Sequence, residues 1–274
     1  MSKVYTSVSE LKVFNTCKRQ WYFSGRNGLY YRPAETSDAL KMGSVFHEAL
    51  EHIYKREDFS ITNILDKHQV TSRSDRNLIH FQISKYKDII YEQDYSIFNN
   101  IETEKKFEIE VTDKCWIHGY IDLVYVNENN NKIEALEHKF VRYFRGATEN
   151  ILDLQLKTYN WVLVELYGYE NVGGVSINEI RKLTDSVAHS REQYKLTKDQ
   201  LVLVENNLIE DLLLMKEIKE NNITQHRANA SWANCRFCEY SDLCKKMDKA
   251  GTNDTSILTD EDFKKSKLIQ KEVK

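Results

Sequence analysis

The chain holds a single proline in 274 residues and only nine glycines. That composition excludes a collagenous or Pro/Gly-rich low-complexity segment and removes the usual linker signals between domains. Long hydrophobic runs are missing too, so no transmembrane helix is expected. The opening MSKVYTSVSELK lacks the apolar core of a secretory signal, so a cytoplasmic protein without membrane partners is expected. Charge of one sign is not in excess, the formal net value being −3. A nucleic-acid binder of this balance must gather its basic residues in one place, because overall charge will not draw a polyanion in. There is no G-x-x-x-x-G-K-[ST] phosphate loop, which excludes a recognisable helicase motor.

What is present is an ordinary globular mixture, 41% apolar and 30% charged, long enough to bury a large core. Five cysteines in such a chain point to metal ligation over disulfides. Three of them, Cys235, Cys238 and Cys244, fall in CRFCEYSDLC at C-x2-C-x5-C spacing. A four-cysteine centre needs one more thiolate, from Cys17 or Cys115. Cys115 opens a strand-like run, where a lone cysteine is usually just a small buried residue. Cys17 follows a capped helix and precedes aromatic residues. The spacing suits zinc as well as a [4Fe–4S] cluster.

Ser7-Val8-Ser9-Glu10 has capping-box form and opens a helix with Leu11, Phe14, Cys17 and Trp21 at roughly helical spacing. A loop through Gly25, Gly28 and Pro33 follows. Ser37 caps a helix over 38–55, and a more polar helix fits about 72–95. Runs 105–111, 115–126 and 133–140 are rich in β-branched and aromatic residues, with an Asn-rich turn at 127–131. A helix over 151–167, a strand over 172–180 and a Thr197-capped helix over 197–220 complete the pattern. From about 245 the chain is polar and reads as mobile or weakly helical. The simplest reading is one α/β domain with helical ends.

Two carboxylates lie in the strand pair. Asp122 sits in HGYIDLVYV and Glu137 in IEALEHKF. Period two places Glu137 and Lys139 on one face, and a hairpin across the turn lets Asp122 approach Glu137. Paired carboxylates suit Mg2+ or Mn2+, and with a lysine nearby they suit metal-assisted phosphodiester hydrolysis. The same E-x-K pattern also describes a solvated face with a cross-strand ion pair. His47 shares a helix face with Leu40, Gly43, Leu50 and Tyr54, and alone reads as a packed core histidine. Gln155 and Tyr159, at i and i+4, either present hydrogen bonds to a site or form a buried polar pair. Glu102 and Glu104 read as solvated. Arg142, Tyr143 and Arg145, and the pairs Lys18-Arg19 and Arg181-Lys182, read as strand contacts through charge and stacking or as solvated loops.

GSVFHEAL, GYIDLVYV, EHK and QLKTY occur in that order, flanked by an early cysteine and the late cysteine triplet. Over 7–245 the chain resembles the PD-(D/E)XK nuclease superfamily. Within it, the set is similar to the RecB-like iron–sulfur exonucleases of CRISPR-associated and phage type. The resemblance implies a restriction-endonuclease-like core, a central mixed sheet flanked by helices. It implies a single nuclease domain over 1–245, with its core at about 38–182 and cluster-bearing helical ends at 7–30 and 197–245, followed by a tail at 246–274. It assigns a divalent metal to His47, Asp122, Glu137 and the backbone carbonyl of His138. Lys139 becomes the catalytic lysine, supported by Gln155 and Tyr159. Cys17 becomes the fourth ligand of a [4Fe–4S] cluster with Cys235, Cys238 and Cys244, clamping chain segments more than 200 residues apart. Ile121 stands where the superfamily's name places proline. The implied activity is a Mg2+- or Mn2+-dependent DNA exonuclease acting on ends or single strands. Arg142, Tyr143 and Arg145 are its candidate DNA contacts. A separate helicase, recombination or CRISPR-adaptation partner is left open. A second reading is a non-cleaving DNA- or protein-binding module with a four-cysteine zinc or iron–sulfur site.

Overall fold

Side-chain caps and β-branched runs set the boundaries of the elements. The computed structural model describes residues 3–26, 31–33, 37–266 and 268–270. In chain order the elements are β1 (Val4–Ser7), α1 (Val8–Thr16), α2 (Lys18–Trp21), β2 (Tyr31–Pro33), α3 (Asp38–Lys55), α4 (Ile61–Lys67), α5 (Arg73–Tyr86), α6 (Glu92–Tyr95), β3 (Phe98–Thr112), β4 (Cys115–Asn127) and β5 (Lys132–Val141). There follow α7 (Ala147–Ile151), α8 (Leu154–Tyr167), β6 (Val172–Arg181), β7 (His189–Tyr194), α9 (Lys198–Glu220), α10 (Trp232–Cys235), α11 (Ser241–Lys249), α12 (Asp260–Lys265) and β8 (Leu268–Gln270). The chain divides into two compact units. One comprises Met1–Thr36, Glu110–His118 and Asn207–Lys274, the other Ser37–Ile109 and Gly119–Asn206. Among the described residues no helix is long and apolar enough to cross a membrane.

The second unit is a mixed sheet flanked by helices. β4 and β5 are antiparallel, β5 and β6 parallel, and β6 and β7 antiparallel. The β4–β5 turn is built by asparagines. Asn127 Oδ1 accepts the Asn129 amide, Asn130 Oδ1 accepts the Lys132 amide, and Asn131 takes a left-handed φ of 53°. α3 starts where the Ser37 hydroxyl accepts the Leu40 amide. Its buried Met42, Val45, Phe46, Ala49 and Leu50 recur at helical spacing and share a core with Leu123, Leu136 and Phe140 of the sheet. Phe46 stacks on Phe140 at 4.6 Å and 7°. Strand alternation then turns Glu137 and Lys139 away from that core, toward α8, which starts on an Asp153 cap.

In the first unit β1 runs parallel to the start of β4, Val4 opposite Cys115. The Ser7 hydroxyl caps α1, but Glu10 leaves the capping box open and accepts the Trp21 indole N–H at 3.0 Å. Between α1 and α2, Cys17 breaks the helix with an extended backbone.

Several elements depart from the sequence reading. The polar helix over 72–95 is α5, a π-helical stretch over Lys87–Tyr91 and α6. The helix expected from 151 is two helices, parted at Leu152 and Asp153. Gly25 lies in a π-helical turn over Tyr22–Arg26 and Pro33 ends β2, while Gly28 is outside the described residues. The C-terminal stretch is ordered through most of its length. Met247 and Phe263 are buried, Phe263 meets Phe23 edge-on at 5.8 Å, and β8 pairs with β2. The sequence pattern does not signal β1, α4 or β7.

Behind β5 and β6 the second unit contains a closed polar circuit. Arg191 of β7 grips Asp94 with two guanidinium bonds, at 2.5 and 2.9 Å. Its Nε donates to Asn178 Oδ1 at 3.3 Å. The Asn178 amide group donates to Tyr86 OH at 3.0 Å and faces His138 Nδ1 at 2.9 Å. Tyr86 OH lies 2.7 Å from Tyr54 OH, which donates to Asp94 at 2.5 Å. Because the Asn178 carbonyl is taken by Arg191, its NH2 must face His138. His138 Nδ1 is therefore an acceptor and the ring proton sits on Nε2. Burial holds the His138 pKa down at about 3, so the ring is neutral. Replacing Arg191 by Met strands the buried Asp94 charge and is expected to cost about 3–5 kcal/mol in urea unfolding. Pairing that change with Asp94→Leu should recover much of the loss.

Candidate active site

The β4–β5 ladder runs from Asn127 opposite Lys132 up to Leu123 opposite Leu136 and stops there. The next residue of β4 is Asp122. Its carboxylate replaces the missing ladder bond, Oδ2 accepting the His138 amide at 2.7 Å. The same oxygen lies 3.2 Å from His47 Nδ1, one face of α3 having been turned toward the strand ends. Burial raises the Asp122 pKa, but the His47 hydrogen bond and charge overcome it and hold the carboxyl below its ordinary range. Burial likewise opposes charge on His47, and Asp122 carries its pKa upward.

Glu137 is buried in front of β5. Its Oε1 accepts from Lys139 Nζ and from Gln155 Nε2, the latter at 2.8 Å. Oε2 is buried with no hydrogen-bond partner. Burial, then the Asp122 charge, pushes the Glu137 pKa up to about 7 against the pull of Lys139. Lys139 also donates to Gln155 Oε1 at 3.1 Å. The Glu137 charge keeps the Lys139 pKa high although burial opposes it. Gln155 Nε2 reaches Tyr159 OH at 3.0 Å, and Tyr159 OH donates to the Tyr120 carbonyl at 2.8 Å. His47, Asp122, Glu137, Lys139, Gln155 and Tyr159 are thus brought into one continuous polar cluster, with the His138 backbone between them.

Of the three expected strand contacts, Arg142 and Tyr143 are exposed. Arg145 is turned inward onto Glu179 and Asp153, at 3.0 and 2.8 Å, and holds the loop ahead of α8. Glu104, read as solvated, is a partner the sequence pattern did not disclose. It lines a cavity of about 760 Å3 with His47, Glu51 and Glu48, and its backbone takes a left-handed φ of 48° in mid-strand. Burial, then Asp122 and Glu51, raises its pKa.

In the first unit Cys17, Cys235, Cys238 and Cys244 line one cavity of about 430 Å3, and all are free thiols. Cys115 is buried on β4 beside Val4. Burial pushes the Cys238 thiol up to about 11 and raises Cys244 as well. Arg19, read as half of a surface basic pair, is buried instead. Its Nε donates to the His226 carbonyl at 2.8 Å and NH2 to Asn253 at 2.6 Å. Its NH1 is buried without a hydrogen-bond partner, 3.6 Å from Asp248, and a hydrogen bond and charge from Arg19 draw the Cys244 pKa back down. Among the described residues no three His, Cys, Asp or Glu side chains are drawn together closely enough to hold a metal ion as they stand.

Comparison with known proteins gives a consistent family. No curated protein matches the chain. A crystal structure of a "Putative exonuclease" from Eubacterium rectale aligns with a TM-score of 0.54 at 14% identity, covering 88% of this chain and 87% of that one. The structure of SSO0001 aligns at a TM-score of 0.41 and 16% identity, over 89% and 87% of the two chains, too loosely to weigh. The family model of the PD-(D/E)XK nuclease superfamily matches residues 5–245, a span that takes in both the polar cluster and the four cysteines. The chain belongs to the PD-(D/E)XK nuclease superfamily.

Proposed function

We propose that this chain is a divalent-metal-dependent DNA exonuclease of the RecB-like iron–sulfur branch, hydrolysing phosphodiester bonds at DNA ends or in single strands. The observation that carries the reading is the orphaned Glu137 Oε2. A buried carboxylate oxygen without a donor is costly in a protein standing alone. A hard cation beside it and Asp122 removes that cost, and superfamily members typically use divalent metals such as Mg2+. The donor set fits: imidazole from His47, carboxylates from Asp122 and Glu137, and the carbonyl of His138 would hold the ion. When bound, it supplies Lewis acidity toward the phosphate and lowers the pKa of a water.

The chain's own groups do the rest. Lys139 presents a fixed positive charge to the phosphate oxygens as charge builds on them. Gln155 holds both Lys139 and Glu137, and Tyr159 fixes Gln155 to the backbone of β4. The name carried by the Eubacterium rectale structure favours attack at ends. The cysteine cavity fits an anionic thiolate centre, since Arg19 turns a hydrogen bond and positive charge onto Cys244, one of the cysteines lining it. A [4Fe–4S] cluster there is structural in this reading, tying α1 and α2 to α10 and α11.

Replacing Asp122 or Lys139 by Ala is expected to lower cleavage of end-labelled DNA in Mn2+ by at least about 100-fold, with circular dichroism unchanged. Wild-type rates in both variants would remove the assignment. Protein purified without oxygen should be brown, and Cys17→Ser or Cys244→Ser should bleach it. A colourless, zinc-loaded protein would rule out iron.

Stability of the chelator-treated protein should also report the site. Folding holds a proton on Glu137 that the unfolded chain gives up above the ordinary 4.5. That stabilisation is complete below 4.5 and is lost as pH rises toward about 7. His47, with a pKa raised above 6.5, adds a loss of the same sign at higher pH. The thermal midpoint should therefore fall across this window relative to Glu137→Gln, and Mn2+ should abolish the difference.

A further inference from the structure

β5 and β6 run side by side in parallel and end together, Val141 opposite Arg181, with the Lys182 amide bonded to the Val141 carbonyl at 2.8 Å. Three cationic residues lie at or just past those carboxyl ends, and the Arg142 charge reaches Lys182. Arg142 is exposed, and Arg181 and Lys182 are half-buried. Lys182 Nζ lies 5.0 Å over the Phe140 ring, and the Arg181 guanidinium 5.7 Å from the Phe144 ring. Tyr143 projects with 73% of its surface exposed, and Phe144 with 38%.

Three other cations of this unit are neutralised. Lys139 has Glu137, Arg145 has Glu179 and Asp153, and Arg191 has Asp94. Arg142, Arg181 and Lys182 make no ion pair among the described residues. Burial and the neighbouring Arg142 charge depress the Lys182 pKa, and Asp75 offsets this only in part. In a chain of net charge −3, a self-repelling positive island is costly unless an anion joins it.

We propose that Arg142, Arg181 and Lys182, with the exposed ring of Tyr143, form a rail at the carboxyl ends of β5 and β6 that grips the phosphate backbone and one base of an unpaired DNA strand. The inference rests on the nuclease reading for its choice of DNA. Arg142 follows Lys139 by three residues, one past the end of β5, and so lies at most about 10 Å away along the chain. That is no more than about three nucleotides at a stacked rise of about 3.4 Å. Interior bases of a duplex are covered by their neighbours, so only a terminal pair would offer Tyr143 a face there. An unpaired strand offers both its phosphates and an open base face.

The test is binding of fluorescent oligothymidylate to the full chain in chelator, read by anisotropy across a salt series. Arg142→Ala with Lys182→Ala should weaken binding and flatten the log–log salt slope by about 1.4, at about 0.7 per phosphate contact on single strands. Tyr143→Ala should weaken binding about 5- to 150-fold with the slope unchanged. Arg142→Glu, at an exposed position, provides the same slope readout without touching the half-buried Lys182. Wild-type affinity and slope in these variants would overturn the rail and leave cleavage standing. So would polyglutamate competing as well as a phosphodiester, or a blunt duplex losing as much affinity as the single strand. Failure of the nuclease reading shows separately, as cleavage that survives Asp122→Ala.

Discussion

One amide hydrogen bond organises the second unit, the His138 N–H held by Asp122 Oδ2 where the β4–β5 ladder ends. It joins β4 to β5 where their backbone pairing ends, while β6 holds the β5 register beyond it, His138 opposite Asn178. Strand alternation then sends Glu137 and Lys139 forward and the His138 ring back. A slip of one residue would exchange the two sets. The rear set is locked by the Arg191–Asp94–Tyr54–Tyr86–Asn178 circuit, in which nearly every donor has an acceptor. Buried networks of this kind specify one arrangement because a partly satisfied alternative costs so much. The forward groups are placed by a polar core that faces away from them.

The two candidate centres share an electrostatic design. In each, the chain crowds together groups whose charged forms repel, carboxylates in one and thiols in the other. Burial then pushes the proton affinity of Glu137 up in one, and that of Cys238 and Cys244 in the other. Each also keeps one buried polar atom without a hydrogen-bond partner, Glu137 Oε2 or Arg19 NH1, the latter still 3.6 Å from the Asp248 carboxylate. One orphan is an acceptor and the other a donor, so the two sites suit ligands of opposite charge. A cation suits the carboxylate site, and an anionic thiolate assembly suits the guanidinium.

Local chemistry was legible in the sequence where it acts over a few residues. Ser7, Ser37 and Thr197 mark helix starts as expected, and the Asn-rich turn joins β4 to β5. The ordered motifs located the polar cluster through their resemblance to the superfamily, since periodicity alone left His47 as a core histidine and the E-x-K pattern as a solvated face. What escaped depends on distant partners or on polar segments that pack. Arg19 reads as a surface base because Asn253 and the His226 carbonyl, which bury it, lie more than 200 positions away. β7, HSREQY, has no apolar alternation, since it pairs at an edge of the sheet order and uses Arg191 as its inward anchor. The C-terminal stretch has few apolar residues, and Met247, Phe263 and the β2–β8 pairing seat it. The π-helical stretch after α5 leaves no signature in a 3.6-residue period.

The rear circuit has a further consequence for sequence drift. Its members are mutually dependent, so a change at Asn178 or Tyr86 must be matched by others at once. Tyr143, by contrast, projects from a loop with most of its surface free. Over generations the chain can therefore vary its outer loop one residue at a time, while the scaffold behind the strands changes as a set or stays as it is.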